Sequence, residues 1–191
     1  MKKSMHLAIL LLFLPFLISS CKTQEGENAK ETSESVSDSA AQTETPQIKK
    51  VGHIPVYEQF ADLEPIFNQE TDSTYVINFW ATWCKPCVEE LPYFEALHQQ
   101  FSGEKLKVVL VSLDFPDKLE SKLLPFVEEH QLESDVVALT DIDYNTWINK
   151  VNPDWGGAIP VTLVYNASER KFVSEQFANA EELNNLVKSL L

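Results

Sequence analysis

Residues 78–92, NFWATWCKPCVEELP, constrain the fold of this chain more than any other segment. They overlap the end of an apolar run, 73–80, whose β-branched and aromatic residues are typical of a buried strand. The residues after Cys84 instead repeat apolar side chains at helical spacing as far as about residue 101. Two of the three cysteines, Cys84 and Cys87, therefore lie where a strand passes into a helix.

The position of Cys84 at a helix N-terminus favours its thiolate form. Unpaired backbone N–H groups and the helix dipole stabilise negative charge there, and a thiol pKa of about 8.5 can fall to about 3.5–7.5 in such motifs. Cys87 lies one turn further on, close enough to close a small disulfide ring, and Pro86 suits the first helical turn because it lacks an N–H. Trp80 and Trp83 are expected to shield one side of the pair. The residues favour a reversible redox pair.

Zinc binding and a static structural disulfide are two other interpretations of the cysteine pair, and the sequence favours them less than a redox pair. Structural zinc needs four protein ligands and catalytic zinc three, and the histidines have no metal spacing to the cysteines: they are His6, His53, His98 and His130. A static disulfide across so short a loop adds little stability, because the stabilisation grows with loop length. We therefore expect no metal, and no cofactor beyond a redox-active Cys84–Cys87 disulfide.

The N-terminus has the pattern of a bacterial signal peptide. Lys2 and Lys3 precede an apolar run, 7–18, that is shorter than the roughly 20 residues a membrane-spanning helix needs. The tetrapeptide ISSC, ending at Cys21, resembles the lipobox, in which the cysteine is lipidated and becomes the first mature residue. We expect a lipoprotein signal peptide at 1–20 and lipid attachment at Cys21; an ordinary signal peptide with a free cysteine is the alternative.

The segment that follows Cys21 is expected to be a disordered tether, residues 21–50. It is rich in Ser, Thr, Glu and Gln and has no aromatic residue, so it cannot bury enough surface to offset its chain entropy. The ordered domain is then 51–191. The net charge of −14 argues against a nucleic-acid partner, because a phosphate backbone requires a basic face.

Strands and helices alternate along the rest of the chain. Patterns favour helices at 57–69, 85–101, 118–130, 144–151 and 180–191, and strands at 73–80, 106–113, 135–140, 160–165 and 171–177. This alternation, with a final hairpin and helix, predicts an α/β sandwich. Trp147 and Trp155 are expected to pack in its core rather than to form a substrate rim.

The segment VINFWATWCKPCVEELP resembles the thioredoxin-like fold, specifically the membrane-tethered thiol-disulfide oxidoreductases of the TlpA/ResA type. The resemblance includes the strand, the Trp-Cys-x-Pro-Cys motif and Pro92, and it extends over roughly 51–191. It implies a three-layer sandwich with a central mixed sheet, helices on both faces, and a central insertion at 118–140 of the kind seen in AhpC/TSA and redoxin-like relatives. Peroxidase chemistry is not expected, because the chain has no Pro-x-x-x-Thr-x-x-Cys pattern.

The resemblance also implies roles for individual residues. Pro160 matches a proline whose cis peptide faces the disulfide, and Ile159 before it is expected to receive substrate in a strand-like contact. Trp83 and Pro86 complete the expected substrate-binding set. Glu90 matches a carboxylate that exchanges a proton with the buried thiol. The alternatives are an ordinary trans proline that begins a strand, and a solvated helix glutamate.

These features together imply a lipid-anchored, extracytoplasmic thiol-disulfide oxidoreductase of the cell envelope, with Cys84, Cys87 and Glu90 catalytic. Asn78 stands where classical thioredoxins have a buried aspartate, so that carboxylate is missing here. The expected partners are disulfide-bearing proteins, including the haem-attachment motif of apocytochrome c, and a membrane dithiol electron donor; the chain is expected to be a monomer. A reductase is favoured, and a tethered peptide-binding module and a dithiol oxidase remain alternatives.

Overall fold

The structure is a computed structural model that describes residues 48–103 and 105–191. The expected signal peptide, Cys21 and most of the expected tether lie outside these residues. In the described part, seven strands form one sheet. They are β1 (Lys49–Val51), β2 (Ile54–Tyr57), β3 (Thr74–Trp80), β4 (Leu106–Ser112), β5 (Asp135–Leu139), β6 (Val161–Tyr165) and β7 (Arg170–Val173).

The sheet is mixed, with the order β1-β2-β5-β4-β3-β6-β7. Strands β2, β5, β4 and β3 run parallel, and β1, β6 and β7 are each antiparallel to the neighbour that pairs with them nearer the centre. The parallel strands β3 and β4 are almost continuously apolar, as burial of both faces requires. The predicted central mixed sheet is confirmed.

Five α-helices accompany the sheet in the described residues. They are α1 (Phe60–Leu63), α2 (Lys85–Gln100), α3 (Leu124–Glu129), α4 (Tyr144–Val151) and α5 (Ala180–Lys188). A 3-10 turn at Glu64–Phe67 continues α1, where Pro65 interrupts the helical pattern. None of these helices is both long and apolar enough to cross a bilayer.

Two apolar cores lie on opposite faces of the sheet, because successive strand residues point to opposite sides. Val76 and Trp80 of β3 join the core that contains α2, α3 and α5 residues, whereas Ile77 and Phe79 join the core of α1 and α4. The sandwich therefore has three layers, as expected. Trp147 and Trp155, predicted as core residues, are 1% and 4% exposed in the second core.

The largest departure from the sequence prediction is the β1–β2 hairpin. The ordered domain was expected to begin at residue 51, with a helix from residue 57, yet β1 begins at Lys49 and Tyr57 ends β2. These strands are short, and their sequences, KKV and IPVY, do not alternate apolar with polar residues as a half-buried strand does. The sheet decides their conformation, because Tyr57 pairs with Leu139 of β5.

Three other predicted elements are shorter than expected, and one of them is the last helix, predicted at 180–191, which ends at Lys188. The helix predicted at 118–130 is α-helical only from Leu124, after a π-helical turn at Leu119–Leu123; Pro125 interrupts the ladder because it lacks an N–H and its ring crowds the preceding turn. The strand predicted at 171–177 ends at Val173. The chain leaves the sheet there, and Phe177 enters the first core.

Candidate active site

The junction between β3 and α2 places both cysteines at one end of the sheet. Cys84 is the residue just before α2 and has extended backbone angles, φ −90° and ψ 98°. It forms a disulfide with Cys87, with Cα atoms 5.3 Å apart. Cys84 is 6% exposed and Cys87 is fully buried, so only Cys84 of the pair reaches the surface.

The segment before β6 faces the first sulfur. The Ile159–Pro160 peptide bond is cis, as the resemblance implied. The Ile159 carbonyl oxygen lies 3.8 Å from Cys84 Sγ. In the disulfide this sulfur carries no proton, so the approach is a contact; a reduced Cys84 thiol would be placed to donate weakly to the same oxygen. Cys84, Ile159 and Pro160 are thus brought together.

The two tryptophans expected to shield the pair lie differently. Trp80 is fully buried in the same core cluster as both cysteines, and its ring centroid lies 5.4 Å from that of Phe126. Trp83 is 56% exposed and its ring stacks beside Phe115, with centroids 6.1 Å apart. Trp83 therefore offers an open apolar face next to Cys84 rather than a cover.

Glu90 is fully buried on α2, one turn after Cys87. Its Oε1 accepts a hydrogen bond from Asn78 Nδ2 at 2.9 Å, and its Oε2 accepts one from the Phe177 backbone N–H at 3.0 Å. Desolvation raises the pKa of Glu90 from 4.5 to about 7, against the opposing effect of these two donors. The alternative of a solvated helix glutamate does not hold for Glu90, although neighbouring Glu89 is exposed.

Asn78 connects the carboxylate to the sheet. Its Nδ2 also lies 3.0 Å from Thr162 Oγ1 on β6, while its Oδ1 is buried without a hydrogen-bond partner. In the sequence, Asn78 stands out only as the absence of a carboxylate. The structure instead makes it the donor that links β3, β6 and the α2 carboxylate.

A second buried carboxylate was missed by sequence analysis. Asp114, 1% exposed and just beyond β4, accepts hydrogen bonds from the Thr82 backbone N–H at 3.0 Å and from the Ser112 hydroxyl at 2.8 Å. Thr82 Oγ1 donates to its other oxygen at 2.5 Å. These bonds hold the loop that precedes Cys84. The available signal was the polar Ser112 and Asp114 at the carboxyl end of an apolar strand, next to the end of β3.

The described residues contain no cluster of three or more His, Cys, Asp or Glu side chains arranged to hold a metal ion. The arrangement that is present combines an accessible sulfur, a buried sulfur and a buried carboxylate that titrates near neutrality. Such a set can break and form S–S bonds with coupled proton transfer.

Curated relatives match a limited part of the chain. The thioredoxin-like protein YneN of Bacillus subtilis is 40% identical over 57 residues, which are 30% of this chain and 33% of the relative. The thiol-disulfide oxidoreductase ResA of Oceanobacillus iheyensis is 37% identical over 57 residues, 30% of this chain and 28% of that protein. The match thus spans about a third of either relative's length. The expected likeness to oxidoreductases of the ResA type is confirmed.

Solved structures show the fold. The thioredoxin-related protein from Neisseria meningitidis serogroup B superposes with a TM-score of 0.53 at 21% identity, covering 62% of this chain and 85% of that one. The DsbF homologue from Corynebacterium diphtheriae gives a TM-score of 0.51 at 21% identity, covering 63% and 74%. The profile of the AhpC/TSA family matches residues 62–170. Since that match covers more than half of the chain and includes both β3 and the cysteine pair, this protein belongs to the AhpC/TSA family.

Proposed function

We propose that the protein is a thiol-disulfide oxidoreductase that exchanges its Cys84–Cys87 pair with disulfides in polypeptide substrates, working as a reductase. The observation that carries the proposal is the unequal exposure of the two cysteines. Cys84, at the N-terminus of α2, reaches the surface, and Cys87 is fully buried. The buried Glu90 on the same helix, whose pKa is about 7, supports it. The similarity to ResA-type oxidoreductases agrees with this chemistry.

The first step is attack by the Cys84 thiolate on a substrate disulfide. One S–S bond forms between Cys84 and the substrate, the substrate S–S bond breaks, and the leaving thiolate takes up a proton. The N-terminal turn of α2 stabilises the attacking anion, since the Cys84 sulfur lies beside the positive end of the helix dipole.

The second step releases the substrate. Cys87 transfers its proton to the Glu90 carboxylate, and the resulting thiolate attacks Cys84 Sγ. The mixed disulfide breaks, the substrate leaves with its second thiol, and the Cys84–Cys87 disulfide forms. The departing substrate thiolate takes up the proton that Glu90 holds, and Glu90 returns to its ionised form. The substrate disulfide has then gained two electrons from the protein dithiol and two protons, one from Cys87 through Glu90 and one from the solvent that received the Cys84 proton. A carboxylic acid whose pKa lies near the working pH suits this proton transfer in both directions.

Continued reduction requires an electron supply, because each turnover leaves the pair oxidised. We assign this supply to a membrane dithiol carrier, and the clients to disulfide-bearing proteins such as apocytochrome c. Trp83, Pro86, Ile159 and Pro160 are the proposed substrate contacts; the approach of the Ile159 carbonyl to Cys84 Sγ supports that assignment.

The proposed location is the cell envelope, outside the cytoplasm, with a lipid on Cys21. A signal peptide at 1–20 and a tether from 21 to the start of β1 at Lys49, two residues before the boundary expected at 51, would then let a monomeric domain move near the membrane that supplies electrons. The support is the basic start, the apolar run and the lipobox-like ISSC. Mass spectrometry of the membrane-extracted protein tests it: a diacylglycerol-modified Cys21 is expected, absent in Cys21→Ala, and an unmodified Cys21 in the membrane fraction would contradict it.

Insulin reduction by the full chain, with a dithiol donor, tests the proposed chemistry. Cys84→Ser is expected to abolish reduction, while Cys87→Ser is expected to accumulate a mixed disulfide that a non-reducing gel detects. Cys21→Ser, which leaves the pair intact, is the matched control and is expected to retain activity. Full activity in either pair variant overturns the proposal. Equilibration of the pair with glutathione measures its potential, and a value near that of strong oxidases, about −120 mV, would make the protein an oxidase instead.

A further inference from the structure

Large apolar side chains are exposed at one edge of the sheet. In the described residues, the exposed large hydrophobics are Ile48, Trp83, Phe115, Ile142, Tyr144 and Leu191. Four of these six follow the carboxyl ends of the central parallel strands: Trp83 after β3, Phe115 after β4, and Ile142 and Tyr144 after β5. Leu191 lies at the opposite edge, since the neighbouring Leu190 carbonyl accepts a hydrogen bond from Thr74, the first residue of β3.

The register of the sheet brings three of these loops together. Trp80 pairs with Ser112, and Ser112 pairs with Ala138, so the three strands end side by side. Neighbouring strands are about 4.8 Å apart, which sets the loops after β3 and β5 about 10 Å from each other. The loop after β3 carries Cys84, so these exposed apolar side chains lie at the same end of the sheet as the reacting sulfur.

Hydrogen bonds fix the backbone of the loops that carry Phe115 and Ile142. Phe115 is 51% exposed, and its carbonyl accepts a hydrogen bond from the Lys118 N–H at 2.8 Å at the start of a 3-10 turn. Ile142 is 72% exposed in a loop whose Asp141 carboxylate accepts hydrogen bonds from the backbone N–H groups of Phe60 and Asp143, at 2.9 and 3.0 Å. Both loops are therefore anchored, and their apolar side chains still face solvent.

The geometry of thiol-disulfide exchange places the substrate polypeptide over this end of the sheet. The attacking, central and leaving sulfurs approach a line, so the residues that flank the substrate cysteine rest on the surface around Cys84. The Ile159 carbonyl lies on one side of that sulfur, and Trp83 precedes it in the chain with its ring stacked beside Phe115. Trp83 and Phe115 thus form one exposed apolar pair, and Ile142 is exposed on the loop after the neighbouring strand β5. Exposed apolar side chains grouped in this way mark a binding site rather than an ordinary exterior.

We propose that Phe115 and Ile142 extend the surface of Trp83 into an apolar docking site, and that Phe115 is a specificity-determining residue. The occupant is an extended polypeptide whose disulfide cysteine is flanked by aromatic or large aliphatic side chains, as in an incompletely folded client. This inference rests on the proposed exchange activity and adds its substrate preference. Burial of one flanking ring against Phe115 removes apolar area from water on both partners.

Three oxidised substrates test the preference with the full chain. Two are disulfide-bridged peptides of equal length, one with Phe and Leu beside its cysteines and the other with Ser; the third is oxidised glutathione. Wild-type protein is expected to favour the apolar peptide over the Ser peptide by roughly tenfold in kcat/KM, a typical effect of one buried side chain at an interface. Phe115→Ala is expected to remove most of that preference by raising the KM for the apolar peptide. The rate of glutathione disulfide reduction is expected to stay unchanged. Ile142→Ala should have a smaller effect in the same direction.

Leu191→Ala, an exposed apolar change at the opposite edge, is the control and is expected to leave all three rates unaltered. Equal rates for both peptides in the wild type, or an equal loss on all substrates in Phe115→Ala, overturn the docking site while the exchange chemistry stands. Failure of the wild type with all three substrates overturns the proposed function itself. Sedimentation of wild type and Phe115→Ala completes the test: a dimer that the substitution dissociates, with unchanged peptide kinetics, would make this surface a self-association site and refute the inference.

Discussion

Asn78 Nδ2 donates a hydrogen bond to Glu90 Oε1 at 2.9 Å, and neither residue has any solvent exposure. The second Glu90 oxygen accepts from the backbone N–H of Phe177. Both donors are neutral groups, so they stabilise the carboxylate less than a cation would. Desolvation consequently prevails and raises the pKa of Glu90 to about 7.

Replacement of Glu90 by glutamine should remove the pH dependence that ionisation of Glu90 gives to the exchange rate. The Cys87 thiol then has no carboxylate to take its proton, and resolution of the mixed disulfide should slow by roughly 10²-fold or more at neutral pH. Stopped-flow fluorescence between pH 5 and 9 should show an inflection near pH 7 in wild type and none in Glu90→Gln. The exposed neighbour provides the control, Glu89→Gln, whose profile should match wild type. An inflection that survives in Glu90→Gln would exclude Glu90 as the proton acceptor.

The stability of the oxidised protein should also depend on Glu90. Its pKa is about 7 in the folded state and near 4.5 when unfolded, so between these values the folded state binds the extra proton. Glu90 therefore makes its full contribution to the free energy of unfolding below pH 4.5, and this contribution is lost as the pH rises towards 7. The loss is about 3 kcal/mol.

Urea unfolding of wild type and Glu90→Gln at pH 5 and pH 8 isolates that contribution, since the other carboxylates are common to both. Relative to wild type, Glu90→Gln should gain stability between pH 5 and pH 8. A constant difference between the two proteins would mean that Glu90 titrates alike in the folded and unfolded states.

An aspartate at position 78 should disturb the pair further. Asn78→Asp replaces a donor to Glu90 Oε1 with a second carboxylate, and two adjacent acids in an apolar site resist ionisation together. The inflection in the exchange rate should move above pH 7, and stability at pH 8 should fall. Asn145→Asp, an exposed change of the same chemistry, should do neither. The prediction fails if the pH profile of Asn78→Asp coincides with that of wild type.

The carboxylate of Asp114 should matter for stability. It accepts hydrogen bonds from the Thr82 backbone N–H, the Thr82 hydroxyl and the Ser112 hydroxyl, and an amide in its place retains one accepting oxygen and brings an NH₂ among these donors. Asp114→Asn should lower the free energy of unfolding by about 2–3 kcal/mol, as the loss of a buried charged acceptor does. Thermal unfolding measures it against Asp117→Asn, an exposed control. Equal transition temperatures would show that the loop before Cys84 does not depend on Asp114.

Long buried strands were predictable because their composition is itself the signal. β3 and β4 match the expected segments within a residue or so, and α4 matches its expected range, 144–151. The β1–β2 hairpin was not predictable in the same way. Its residues are polar or interrupted by proline, and pairing with β5 across a long sequence separation makes them strands.

The sequence by itself determined the disulfide pair: Cys84 and Cys87 are separated by two residues at a strand-to-helix junction, so local geometry alone brings their sulfurs together. Tertiary structure alone decided what surrounds the pair. Glu90 is buried because Asn78 of β3 and the backbone of Phe177, 87 residues away in sequence, meet its carboxylate. Phe115 likewise reaches Trp83 only because β4 lies beside β3. The spacing of apolar residues in the sequence indicates which face of a helix or strand is apolar. Desolvation and hydrogen bonding between distant segments arise only once the sheet has assembled.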